Sequence, residues 1–136
     1  MNKILILVLV LFNSLFSSED YELKLYETVL PIIFNTTEIK VFVTKDINTI
    51  LKSSDKFIIV NNCNDADLLI GKKFINLPNN CKDKPLFTTT YKSFKNNVNC
   101  IGAFYWKKGR PQIKFKLKNI EKHNLLFPLQ LWKYAK

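Results

Sequence analysis

Residues 4–16 form a run of thirteen that is apolar but for Asn13 and Ser14, and its length decides what the rest of the chain can build. A helix that crosses a bilayer needs about 20 consecutive apolar residues. This run is shorter, follows Asn2 and Lys3, and leads into Ser14, Ser17 and Ser18 before the acidic pair Glu19 and Asp20. That order is an n-region, an h-region and a cleavage zone. Residues 1–18 therefore read as a cleaved secretory signal, and residues 19–136 as the working domain, placed in the periplasm. A domain of this length is one unit with a modest core.

Export changes the reading of Cys63, Cys81 and Cys100, because thiols pair in oxidising compartments. Cys63 and Cys81 each follow an asparagine pair, Asn61-Asn62 and Asn79-Asn80, and so sit in loop-like segments. A Cys63–Cys81 bridge is the expected pairing, although three cysteines formally allow three. Cys100 lies in an apolar strand pattern and reads as a buried thiol. Intervals of 18 and 19 residues are not those of paired metal ligands, so no metal site or cofactor is expected. The single His123 reads as a surface residue of a C-terminal helix.

Charge is unevenly distributed. Residues 19–70 carry five lysines against nine acids, a net of −4, whereas residues 71–136 carry fourteen lysines and one arginine against two acids, a net of +13. Such a balance suits an anionic partner. Export argues against nucleic acid and leaves an acidic protein or a phospholipid surface. The chain is also rich in Lys, Asn, Ile and Phe with one Arg, a bias that makes a solvated basic surface without any partner.

The apolar periodicity predicts an amphipathic helix over residues 21–34, kinked or ended at Pro31. A strand follows over 38–43, then a short helix capped by Asp46 and running through Leu51. Residues 57–60 read as a strand buried on both faces, and residues 67–70 and 86–90 as further strands. One helical turn is expected at 91–94. Strands at 101–106 and 112–117 flank the basic turn 107–111. In the second of these, Ile113, Phe115 and Leu117 share one face and Lys114, Lys116 and Lys118 the other, which should be wet. Asn119 should cap a short helix through His123, and Pro128 should open a last helix over 129–134. The order predicts an α/β domain: a mixed sheet with helices on both faces, parallel strands early, and a C-terminal hairpin followed by short helices.

Two places could carry function. The strand end Thr88-Thr89-Thr90 with Tyr91 could offer hydroxyls to an anion or small ligand in an α/β crevice. On the hairpin, Phe104, Tyr105 and Trp106 run directly into Lys107, Lys108 and Arg110, and aromatic residues with Arg are common at interface hot spots, which makes Trp106, Lys107, Lys108 and Arg110 the expected interaction residues. The bland readings are structural threonines and a hairpin with one packed face. Neither place supplies an acid, base and nucleophile together, so no enzyme is expected. Asn35-Thr36-Thr37 matches a glycosylation sequon, a frequent match in asparagine-rich chains.

The last third of the chain resembles the YfiR family of small periplasmic proteins that regulate membrane-bound diguanylate cyclases. Family members run from a strand of the type L-T-V-S-D through a Gly-rich I-G-F strand, a turn and an R-F-x-I-N strand to a final L-L-x-L-A helix. The corresponding residues here are Leu86-Phe87-Thr88-Thr89-Thr90, Ile101-Gly102-Ala103-Phe104, Lys107-Lys108-Gly109-Arg110, Lys114-Phe115-Lys116-Leu117, and residues 129–135. Asn99 and Cys100 stand where paired glycines usually occur, and Lys118 where the family has Asn. The resemblance implies a regulator that binds an inner-membrane sensor or cyclase by protein–protein contact and that could form a homodimer. The alternative is a solute-binding module similar to one lobe of a substrate-binding protein, taking a small ligand.

Overall fold

Tyr21, Leu25, Tyr26, Val29, Leu30 and Ile33 recur at three- and four-residue intervals and form the buried stripe of the first helix, α1 (Ser18–Phe34). The structure, a computed structural model, describes residues 18–135, so the expected signal segment lies outside it save for Ser18. Pro31 does not end α1, which continues to Phe34. Termination falls instead on Asn35, whose φ of 53° is left-handed and lets the Thr36 N–H donate to the Pro31 carbonyl.

Then come β1 (Ile39–Val43), α2 (Lys45–Leu51), β2 (Phe57–Ile59), β3 (Leu68–Gly71), β4 (Leu86–Thr88), α3 (Tyr91–Asn96), β5 (Cys100–Lys107), β6 (Arg110–Phe115) and α4 (Leu117–Lys122). Short 3-10 turns occupy Cys63–Asp65, Asn79–Cys81 and Leu129–Tyr134. The six strands lie in the order β2-β1-β3-β4-β5-β6, all pairs parallel except the β5–β6 hairpin. This is a single α/β domain with a mixed sheet. Among the described residues no helix is long and apolar enough to cross a membrane.

Two cores result, one on each face. On the first, α1, α2 and α4 cover Ile39, Val41, Ile70, Phe87, Phe104 and Phe115. On the second, Phe94 of α3 joins Leu69, Leu86, Ala103, Cys63 and Cys81. Cys63 and Cys81 are bridged, with Cα atoms 5.8 Å apart, and so fasten the β2–β3 connection to the β3–β4 connection. Cys100 is free and buried.

Several expectations are corrected. β2 is an edge strand, so Ile58 is 39% exposed rather than buried on both faces. Thr44, not Asp46, precedes α2, and Asp46 sits in its first turn. β6 ends at Phe115 and Leu117 opens α4, so Leu117 and Lys118 do not extend the strand alternation. Asn119 lies inside α4, where its amide donates to the carbonyls of Val98 (2.8 Å) and Cys100 (2.7 Å) and ties the helix to the start of β5. The face expected to be wet is partly covered by α3: Lys116 donates to the Asn97 carbonyl at 3.0 Å and lies over the Phe94 ring. The hairpin turn is tighter than the sequence suggested. Lys107 pairs with Arg110, leaving Lys108 and Gly109 as the turn, both with positive φ, the geometry that suits a right-twisted hairpin. The final helix is a 3-10 turn, with Pro128 just before it.

Candidate functional site

In open α/β sheets ligands usually enter where the strand order reverses, outside the carboxyl ends of the strands. Here that point lies between β1 and β3, and it is filled. The Thr44 N–H donates to the Ile70 carbonyl, and the Thr44 side chain occupies the space a Cβ on residue 71 would need, so Gly71 is required for the contact. The Thr44 hydroxyl donates to Asp46, whose other oxygen accepts from Thr89 at 3.3 Å. Beside this closed corner Tyr26 donates to Glu22 at 2.7 Å, and burial raises the Glu22 carboxyl, with Asp46 and Glu19 adding to the rise.

The open space lies further along the sheet. A groove of about 510 Å³ is lined by Thr89, Thr90 and Tyr91 at the end of β4 and start of α3, by Tyr105, Trp106 and Lys107 of β5, and by Lys114 of β6. Thus members of both sequence-selected places meet in one groove. The topology explains it: the β4–α3–β5 crossover lays α3 over the face that carries Ala103, Tyr105 and Lys114, so Tyr91 reaches Tyr105, ring centroids 5.6 Å apart.

Individual residues fare differently. Thr88 is 1% exposed and donates to the Thr90 carbonyl at 2.9 Å, so it holds the strand end and does not face the groove. The Thr90 side chain accepts from the Ser93 N–H and caps α3. Thr89, Thr90 and Tyr91 line the groove. Alternation along β5 divides the hairpin set: the Trp106 ring packs on Tyr21 and Phe104 of the α1 face, at 5.9 and 5.7 Å, while reaching the groove rim. Lys107 enters the groove, and Lys108 and Arg110 stand exposed at the turn outside it. The sequence marks Tyr105 only as part of the aromatic run before the turn, and Lys114 only as a residue of the wet face. The alternation that set Lys114 opposite Ile113 and Phe115 carried the signal, once α3 is placed over that face.

A second groove of about 490 Å³ opens at the other end of the strands, lined by Glu38, Asp67, Lys84 and His123 among others. Three of these four side chains are already engaged. Lys84 donates to the carbonyls of Asn64 (3.0 Å) and Ala66 (2.8 Å), Asp67 accepts from the Lys40 N–H, and His123 pairs with the Asn99 side chain at 3.0 Å. His123 is half-buried rather than a surface residue, and burial lowers its pKa, with Lys122 adding to the fall.

The sheet order also turns the charge imbalance of the sequence into a spatial one. Strands β2, β1 and β3 come from the acidic stretch, and β4, β5 and β6 from the basic one. The α3–hairpin groove therefore opens on the lysine-rich half. No protein-family model, curated protein or solved structure matches this chain.

Proposed function

We propose that the chain is an exported periplasmic binding protein whose α3–hairpin groove docks an acidic extracytoplasmic segment of an inner-membrane sensor or diguanylate cyclase. The observation that carries this reading is the meeting of Tyr91, Tyr105, Lys107 and Lys114 in one groove. Aromatic faces supply contact area at low entropic cost, and two ammonium groups select negative charge. The groove lining holds no histidine, cysteine or carboxylate, which suits binding rather than proton transfer. The YfiR resemblance supports the kind of partner, and the Cys63–Cys81 bridge suits an oxidising compartment. A groove of this size would also take a small anionic aromatic ligand, the solute-binding reading, since two tyrosine rings line it.

Site-specific photocrosslinking tests the proposal. A crosslinking residue replaces Thr89 in the groove or Ser53, exposed after α2 on the far half of the sheet. Capture of a membrane sensor or cyclase from position 89 but not 53, lost in Lys107→Glu/Lys114→Glu, is the expected result. Equal capture from both positions overturns the groove. Absence of capture together with saturable binding of an anionic aromatic solute moves the function to the second reading.

A further inference from the structure

The terminal 3-10 helix, Leu129–Tyr134, has three distinct faces. Residues three apart eclipse one another in such a helix. Pro128, Leu131 and Tyr134 share one face, and Leu131 is buried in the core beneath α1 and β6. Gln130 and Lys133 form the polar face. Leu129 and Trp132 form the third, and they are 76% and 48% exposed, with Leu126 just before the helix 52% exposed. Two of these are held in place: the Trp132 ring packs edge-on against Phe127, which packs on Phe115, and the Leu126 N–H donates to the Ile33 carbonyl at 2.9 Å. An anchored tryptophan and two leucines thus leave about half or more of their surface uncovered by the described residues.

We propose that this face seats the protein on an anionic phospholipid surface. Lys118 and Lys122 are exposed on α4, which packs on the same core as this helix, and Lys133 is exposed on the helix's polar face, so cationic side chains share the apolar face's side of the sheet. Tryptophan with leucine on one side and lysine on the adjoining side is the composition that settles at the headgroup boundary, the indole at headgroup depth and the ammonium groups on phosphates. A patch of three side chains is far smaller than a specific protein interface, which takes roughly 20–30 residues a side. The inference goes beyond the docking groove and stands without it.

Vesicle binding by the full chain, purified from the cells that express it, tests this with lipid alone. Sedimentation with phosphatidylglycerol–phosphatidylcholine vesicles should exceed that with phosphatidylcholine alone at least about tenfold and should fall as salt is raised. Leu129→Ser/Trp132→Ser should lose the excess, and Lys133→Glu should reduce it. In Trp106→Phe, where Trp132 is the one remaining tryptophan, anionic vesicles should shift the emission to the blue and brominated lipid should quench it. Circular dichroism checks that the double variant folds. If it does not, the Lys133→Glu and Trp132 fluorescence results decide. Equal binding to neutral and anionic vesicles, binding that survives Leu129→Ser/Trp132→Ser, or an unshifted Trp132 overturns the proposal. So does a wild-type dimer that Leu129→Ser/Trp132→Ser converts to monomer, since a second copy would then be the occupant.

Discussion

Lys114 holds its ammonium 5.2 Å from the centroid of the Tyr91 ring, so the edge strand β6 and the first turn of α3 meet through a cation and an aromatic face. A cation over a tyrosine at a partly exposed position contributes about 0.5–1 kcal/mol. Lys114→Met should therefore cost no more than about 1 kcal/mol in urea unfolding, because its methylenes keep covering the ring. Its effect on an acidic partner should be larger. Lys114→Glu should weaken such binding by roughly tenfold or more and flatten its salt dependence, mostly through a slower on-rate. Unchanged affinity across a salt series would remove Lys114 from the interface.

Glu22 offers a pH test. Burial raises its carboxyl, the Tyr26 hydroxyl bond opposes the rise, and Asp46 and Glu19 add to it. A carboxyl raised in the folded state favours the neutral form there, so its charged form destabilises the fold, progressively as pH climbs from the unfolded value through the folded one. Glu22→Gln keeps an acceptor for Tyr26 and removes the charge. It should raise the melting temperature at pH 7 and lose that advantage once the pH falls below the ordinary carboxylate range. Melting curves of both proteins from pH 3 to 8 read this directly.

The hairpin and the order of strands and helices were legible in the sequence because period-two alternation at Ile113 and Phe115 and the intervening helical signals are local. Edge position is not local. Residues 57–60 read as buried on both faces, yet Ile58 is half uncovered because β2 ends up at the sheet margin. The ends of elements were misread for a related reason. The first helix does reach Phe34 as expected, but it is Asn35 in the left-handed region and not Pro31 that closes it, and Asn119 looked like a cap but bonds across to β5. Of the candidate site, Thr89, Thr90, Tyr91 and Lys107 were found from residue type, while Tyr105 and Lys114 needed the β4–α3–β5 crossover to bring them together.

The three cysteines should separate cleanly in a labelling experiment. The Cys100 thiol donates to the Gly102 carbonyl at 2.9 Å, and burial pushes its pKa up to about 11. Folded protein should thus resist iodoacetamide at pH 8, and one thiol should react once urea unfolds it with the bridge intact. Because the folded thiol holds its proton, stability should fall as pH rises from about 9 towards 11, by up to about 1.4 kcal/mol per pH unit. Reducing Cys63–Cys81, which closes a loop with a separation of 18 residues, should cost about 3 kcal/mol in urea unfolding. Rapid labelling of folded protein would place Cys100 at the surface.

Gly71 joins the fold to the placement of the groove. Its missing side chain lets Thr44 close the β1–β3 corner, and Thr44 cannot retreat because its N–H is bonded to the Ile70 carbonyl at 3.2 Å. Overpacking at a site with no room typically costs about 1–3 kcal/mol. Gly71→Ala should lower stability by that amount, and Thr44→Gly, itself mildly destabilising, should restore much of it in the double variant, giving a coupling energy of about 1 kcal/mol or more. The corner touches the groove only at its Thr89 rim, whose N–H donates to the Gly71 carbonyl and whose hydroxyl donates to Asp46, and it leaves Tyr91, Tyr105 and Lys114 in place, so partner binding by folded Gly71→Ala should stay close to the wild type. A binding loss without a stability loss would move the site back to the β1–β3 corner, where the strand order alone would have put it.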